Sequence, residues 1–555
     1  MVSSSLVHPK DTPALRKERG AFFTPAPITA FVANWAIRTG ADRIMEPSAG
    51  DAAFLVAAVE RLSKLRRGKV SEPEVDGFEI HAHSAKIARQ RIRNAGGKPH
   101  VRESDFFDIA PEPIYDAVIG NPPYIRYQNF SGEARAKSRQ AAFRGGVALS
   151  GLASSWAAFT VHSALFLKPG GRLGLVLPAE LLTVNYAAPV RQFLFDRFRC
   201  VELVLFAQQV FPEADADVVL LLAEGYSEGP AGYATIRQTK NAESLVTLEA
   251  GQAWKPADPA GKWIGSLVDQ AALDALSSLT SGGYFAPLEV WGDTTLGIVT
   301  GNNRYFALSP GRAQELGLRS SELLPLSPPG SAHLRGLTLT PELLAELGKG
   351  GQSTLLFYPR AKPSKAAEAY IEDGHRTGVD TAYKCRVRKV WYRVPLVRPA
   401  DLLLTCMNAD TPRLVANEAG AYHLNSVHGV YLREVVREMG CELLSLASLN
   451  SVTLMHAEMV GRAYGGGILK IEPKEADLWA VPSYGLVRSR RVALRSIKNR
   501  VADLLATGRL LEAVKLVDRA LLIDGRVLSI EQVGRMRAAR ELLANRRERR
   551  STSGN

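Results

Sequence analysis

The amino-terminal part of this 555-residue chain is predicted to be α/β, a Rossmann-like doubly wound and mainly parallel sheet; an α+β domain and a basic helical region should follow it. Three observations predict this. Short apolar, β-branched runs alternate with helix-length segments from Ile28 to Leu177, the rhythm by which parallel strands are connected. Successive early strands end on an acid (Glu46, Glu79, Asp105), and the next ends on Asn121-Pro122-Pro123-Tyr124. Open parallel sheets bind ligands at the carboxyl ends of their strands. The charge is also uneven. The chain carries net +13, and from Val481 to Asn555 there are 17 Lys+Arg against 7 Asp+Glu, a net +10.

Composition narrows the function classes. Hydrophobic residues make up 46% and charged residues 23%, as in globular proteins. The cysteines Cys200, Cys385, Cys406 and Cys441 lack CxxC or Cys/His spacing, so no zinc site or disulfide framework is expected and a reducing cytoplasm suits the chain. No apolar run approaches membrane-spanning length, about 18 residues. The basic excess calls for a polyanionic partner. A second basic stretch, Tyr383 to Arg393, interleaves aromatics with cations and strengthens the expectation of nucleic acid.

In chain order, Phe22-Phe23-Thr24-Pro25 precedes an apolar-periodic helix from Ile28 to Ile37, which Thr24 is placed to cap. Arg43 to Glu46 reads as a strand. Pro47-Ser48-Ala49-Gly50 is then a small-residue turn into a helix from Phe54 to Leu65. Small residues let backbone approach a nucleotide-like ligand. Glu46 would repel a phosphate, so a cation fits better, such as the sulfonium and amino groups of S-adenosylmethionine. Val75 to Ile80 is the second strand, and Glu79 stands where a ribose diol is usually bonded. A helix from Ala85 to Ala95 leads to the strand end at Asp105, beside Phe106 and Phe107.

Tyr115 to Ile119 is the fourth strand, halted by Gly120-Asn121-Pro122-Pro123 because proline lacks the ladder N–H. The loop presents an amide side chain, two prolyl carbonyls and the Tyr124 ring. Such a set accepts hydrogen bonds from an exocyclic amino group while stacking on its heterocycle. Arg126 to Ser150 is polar and reads as a mobile loop; strand Arg172 to Leu177 then precedes Pro178-Ala179-Glu180.

In this order, Glu46-Pro47-Ser48-Ala49-Gly50, the two further acids and Asn121-Pro122-Pro123-Tyr124 resemble the γ group (Taq-type) of DNA adenine-N6 methyltransferases of type II restriction–modification systems, class I S-adenosylmethionine-dependent enzymes. Phe23-Thr24-Pro25 before the cofactor loop, Trp156 to Phe159, and Phe211 before Asp217 to Leu221 match further family segments, so the likeness covers about residues 18–225. It implies a cofactor site of Phe23, Thr24, Pro25, Glu46, Pro47, Ser48, Ala49, Gly50, Glu79, Ile80, Asp105, Phe106, Asn121, Pro123 and Phe159. Glu46 and Thr24 would face the methionine end, Glu79 the ribose and Asp105 the adenine amino group, with Phe106 and Phe159 against that ring. Asn121, Pro122, Pro123 and Tyr124 would be catalytic, with Tyr124 and Phe211 stacking on a flipped adenine. No metal is implied. One departure is Ala52, where the family commonly has a second glycine.

The resemblance implies domains at 1–225 (catalytic), 226–487 (DNA target recognition) and 488–555 (basic helical). The partner would be double-stranded DNA, with a possible separate cognate endonuclease, and the enzyme a cytoplasmic monomer not bound to membrane. Ala250 to Ala260 reads as a linker, Leu296 to Phe306 as strand, turn and strand, Tyr422 to Tyr431 as a strand-rich stretch with exposed polar groups, and Arg546 to Asn555 as a disordered tail. An RNA adenine or protein glutamine methyltransferase, or an inactive DNA-specificity module, would share parts of this pattern.

Overall fold

The computed structural model describes residues 24–66, 71–130, 132–208, 210–211, 218–256, 258–360 and 362–552. Phe23 lies outside the described residues, as do Gln209 and 212–217 of the late segment. The described chain divides into two compact units, one reaching Ser266 and the other running from Leu267 to Thr552.

The first unit is built on one nine-stranded sheet with the order β3-β2-β1-β4-β5-β7-β6-β8-β9. Its strands are β1 (Ile44–Glu46), β2 (Glu74–Glu79), β3 (Lys98–Glu103), β4 (Tyr115–Gly120), β5 (Leu167–Pro178), β6 (Phe198–Phe206), β7 (Val218–Tyr226), β8 (Ala234–Thr239) and β9 (Gln252–Trp254). β1 to β5 run parallel, while β7 is antiparallel to both β5 and β6. The order reverses between β1 and β4, so the crevice above their carboxyl ends is the place for a ligand. Helix α1 (Ala26–Ala36) precedes β1, while α2 (Ala53–Arg66) and α3 (Ala82–Asn94) connect β1 to β2 and β2 to β3. Ile28, Val32 and Ala36 of α1 and Phe54, Leu55, Ala58 and Leu62 of α2 are buried in one core, the i, i+4 spacing the sequence shows.

Several expectations are corrected here. Within the polar stretch, Gly132–Arg144 forms a helix, α4, that buries Ser138, Ala141 and Ala142. The unit does not stop at 225, because β8 pairs with β6 and β9 with β8; β9 thus occupies the expected linker. Helix α5 (Ser155–Ala164) is buried along its whole length. The next helices are α6 (Glu180–Thr183) and α7 (Ala188–Arg197).

The second unit contains four small sheets. The largest joins Gly292–Leu296, Val427–Leu432, Leu402–Thr405 and Leu414–Ala416 in that order, all antiparallel. Val427–Leu432 is interior to it, so His428 is 2% exposed rather than presented to solvent, and His423 just before the strand is equally buried. Asn303–Phe306 is a short helix rather than a strand, because the Asn302 side chain accepts from the Tyr305 N–H at 3.2 Å and caps it. Arg462–Tyr464 and Ile468–Lys470 form a hairpin turning through Gly465-Gly466-Gly467. In the basic stretch, the Arg388 guanidinium donates to the carbonyls of Val299 and Thr300 at 2.8 and 2.7 Å, so part of it straps the fold. The last helix, Ile530–Thr552, runs through the expected tail. There Arg547 is buried and pairs with Glu458 through both its Nε (3.1 Å) and Nη2 (3.0 Å). The region after 488 is therefore helical and packed within the second unit. Among the described residues no helix is long and apolar enough to cross a membrane.

Candidate active site

Glu46 ends β1, Glu79 ends β2, Asp105 follows β3 and Asn121 follows β4, so the sheet brings the predicted acids and amide to one edge. Glu46 is 3% exposed, and its Oε2 has no hydrogen-bond partner among the described residues. Burial pushes its carboxyl well above the usual glutamate range, and the Asp51 and Glu79 carboxylates push in the same direction. A buried carboxyl with one oxygen left unsatisfied is a site for a cation. Gly120 permits the approach of β4: a Cβ there would stand 3.3 Å from both Glu46 Cγ and Pro47 Cδ.

Beyond Glu46, Pro47 and Ser48 lead to Ala49, whose N–H donates to the Phe78 carbonyl at 2.7 Å. Gly50 is left-handed at φ 52°, with open space where its Cβ would be. Its N–H donates to Glu79 Oε2 at 2.8 Å, while Glu79 Oε1 accepts from the His81 N–H at 2.9 Å. Glu79 thus braces both loops and retains lone pairs for a diol. Ala52 also adopts a left-handed conformation, φ 65°, where the family's glycine would be at ease. Next to Glu79, Ile80 is 59% exposed, an apolar face with no cover of its own. Asp105 accepts from the Phe107 N–H at 3.0 Å. Phe106 stacks on Phe159 with centroids 5.7 Å apart and planes 10° apart, and both rings are buried. Phe166 and His162 extend this cluster, where desolvation lowers the His162 pKa to about 4. An unsatisfied carboxyl oxygen, an open glycine turn, a second strand-end acid and exposed apolar surface match a cationic nucleoside such as S-adenosylmethionine.

The Asn121 amide is held at both ends. Its Nδ2 donates to Thr24 Oγ1 at 3.2 Å, and its Oδ1 accepts from the Tyr124 hydroxyl at 2.6 Å. Thr24 therefore does not cap α1; the residue at that position is Pro25, with no side-chain bond. The Tyr124 hydroxyl is also 3.0 Å from the Val176 carbonyl on β5. Burial raises the Tyr124 pKa, which keeps the proton on the hydroxyl. Pro122 is buried; the Pro123 carbonyl accepts from the Ser155 hydroxyl. Phe211 is 4% exposed and belongs to the core cluster against which Tyr124 packs. Sequence reasoning missed Ser155 and Val176, since neither lies in the loop or in an acid-ended strand.

Comparison with known proteins finds relatives along most of the chain. The N-6 DNA Methylase family model matches residues 10–230, and the model for the C-terminal domain of the type II methyltransferase M.Eco57I matches residues 260–522. The chain is 23% identical over 487 residues to the type II methyltransferase M.AccI of Acinetobacter calcoaceticus, covering 85% of this chain and 87% of that protein. It is 25% identical over 488 residues to M.XamI of Xanthomonas campestris pv. amaranthicola, covering 84% and 85%. In fold it is similar to the type IIL restriction-modification enzyme MmeI solved in complex with DNA, with TM-score 0.53 and 12% identity over 94% of this chain and 75% of that one. The paired family matches and the two relatives aligned over more than four fifths of both chains make the chain a member of the type II DNA methyltransferases of restriction–modification systems, S-adenosylmethionine-dependent enzymes with an N-6 DNA methylase domain.

Proposed function

We propose that the acceptor is N6 of an adenine flipped out of double-stranded DNA. The observation that carries this reading is the Asn121 carboxamide, fixed at the end of β4 between Thr24 and Tyr124, next to the Gly120 that lies against Glu46. The adenine amino nitrogen is a weak nucleophile because its lone pair is delocalised into the ring. Hydrogen bonds from that amino group to Asn121 Oδ1 and the Pro122 carbonyl favour a tetrahedral, more nucleophilic nitrogen. S-adenosylmethionine, when bound, supplies the electrophilic methyl group. Positioning the two reactants in line then provides much of the acceleration.

Thr24 decides which end of the Asn121 amide is the acceptor: by accepting from Nδ2 it leaves Oδ1 for the substrate. The Tyr124 hydroxyl occupies Oδ1 until the base arrives and still has the Val176 carbonyl to donate to when displaced. The exchange therefore leaves no buried hydroxyl unsatisfied. Flipping costs a few kcal/mol. Stacking on Tyr124, with Phe211 as the second wall, offsets this by about 1–3 kcal/mol. In the cofactor crevice, Glu46 and Thr24 take the methionine end and Glu79 the ribose. Asp105 takes the adenine amino group, with Ile80, Phe106 and Phe159 around the ring. Residues of the second unit would recognise the target sequence. The enzyme would act as a cytoplasmic monomer, with restriction carried out by a separate endonuclease.

The test is direct. DNA from cells expressing the protein is sequenced with detection of N6-methyladenine, and Asn121→Ala serves as the control. Methylation at one sequence context, absent in the variant, is expected; methylated cytosine or no methylated base would overturn the assignment.

A further inference from the structure

We infer that Ser155 is a positioning residue for Tyr124 and sets where the base-stacking ring stands. The inference rests on reading Tyr124 as a stacking wall.

Ser155 opens α5 and is 1% exposed. Its Oγ–H donates to the Pro123 carbonyl, and the same Oγ accepts from the Ile125 N–H at 2.9 Å. Its own N–H donates to the Ile125 carbonyl at 3.1 Å. The Pro123 carbonyl lies in the peptide plane before the Tyr124 Cα, and the Ile125 N–H lies in the plane after it. A peptide plane is rigid, so fixing both planes around one Cα fixes that residue's φ and ψ. One oxygen atom thereby determines the direction in which Tyr124 projects its ring.

The remaining contacts show why this hold is needed. At the far end of the ring, the hydroxyl bonds to Asn121 Oδ1 and to the Val176 carbonyl. The first of these bonds is given up when a substrate amino group takes Oδ1. The clamp at the Cα end touches neither the amide nor the base, so it persists through that exchange. Ser155 itself cannot drift. Its neighbour Trp156 is fully buried, and the Trp156 indole N–H is 3.2 Å from Glu180 Oε2 and 3.0 Å from the Tyr186 hydroxyl. Tyr186 in turn donates to Glu180 Oε2 at 2.5 Å. The start of α5 is tied to the segment following β5, and the loop after β4 is tied to the start of α5.

Three variants test the inference in the full chain: Ser155→Ala, Ser155→Thr, which keeps a hydroxyl, and Tyr124→Ala. Each is assayed for cofactor affinity, for kcat, and for the fluorescence of 2-aminopurine placed at the target base. Ser155→Ala should lower kcat and the fluorescence change by roughly tenfold to hundredfold, with cofactor affinity unchanged, and Ser155→Thr should restore both. If Ser155→Ala keeps wild-type kcat and fluorescence while Tyr124→Ala loses them, the inference fails and the stacking role of Tyr124 stands. If Ser155→Ala loses cofactor affinity in proportion to kcat, the residue is merely structural and the inference is overturned. If Tyr124→Ala changes neither signal, the stacking role fails and the inference with it.

Discussion

At the scale of single residues, the most consequential group is a carboxyl whose burial opposes its charge. Glu46 is buried beside two other acids, and its pKa lies well above the ordinary value. A cation brought next to it reverses that balance and lowers the pKa, so cofactor binding should release a proton. Affinity should tighten as pH rises through the unliganded Glu46 pKa. Calorimetric titration in buffers of differing ionisation enthalpy measures the released proton, and Glu46→Gln should remove that contribution. Asn121→Ala should lower kcat by about 10²–10³, whereas Tyr124→Phe keeps the ring and should transfer methyl at a rate close to wild type. Equal losses in steady-state assays of the two variants would contradict the roles given to them. Asn121, Tyr124 and the three acids were legible because each stands in a short contiguous string whose chemistry is local. Ser155, and the bond from Asn121 to Thr24, were not. Thr24 reaches an amide 97 positions away, and Ser155 bonds residues 30 and more positions upstream. Only the folded sheet creates those pairs.

At the scale of elements, the strand–turn–helix after β1 carries a local strain. A non-glycine residue in the left-handed region costs about 1–2 kcal/mol, and Ala52 is held there with no exposed surface. Ala52→Gly should relieve the strain, offset in part by about 0.4–1 kcal/mol of extra unfolded-chain entropy. A melting temperature raised by about 1–4 °C is expected, and a lowered one would show that the methyl's packing outweighs the strain. On α5, His162 is neutral in the fold, with its pKa at about 4 against an ordinary 6.5. The unfolded chain binds the extra proton first, so stability falls as pH drops from 6.5 towards 4. The loss is of order 3 kcal/mol, and thermal melts of His162→Gln should show a shallower decline. The order of strands and helices could be read because apolar runs of period 2 and 3.6 are strong signals. Helix α4 could not, since it buries Ser138 and two alanines, a face too small and polar to stand out.

At the scale of the whole molecule, each unit has its own core, and the C-terminal helix belongs to the second. Arg547 and Glu458, each with a side chain 3% exposed, form a buried ion pair there. Removing one partner leaves a buried charge, which typically costs about 3–5 kcal/mol. Arg547→Ala should therefore lower the melting transition of the second unit, while the paired change Arg547→Met with Glu458→Leu should recover most of the loss. Differential scanning calorimetry of both variants checks this. The Arg-rich composition made this end look like a solvated tail, since a sequence does not show which arginine finds a buried acid. The early boundary expected at 225 has a similar origin: β8 and β9, the last two strands of the sheet, are short and have little pattern of their own. The hydrogen bonds that fix Asn121 and Tyr124 come from Thr24, Val176 and Ser155, all in the first unit. That closure has an evolutionary consequence. If the second unit reads DNA, as proposed, its surface can drift or be exchanged to reach new recognition sequences while the chemistry of methyl transfer is inherited intact.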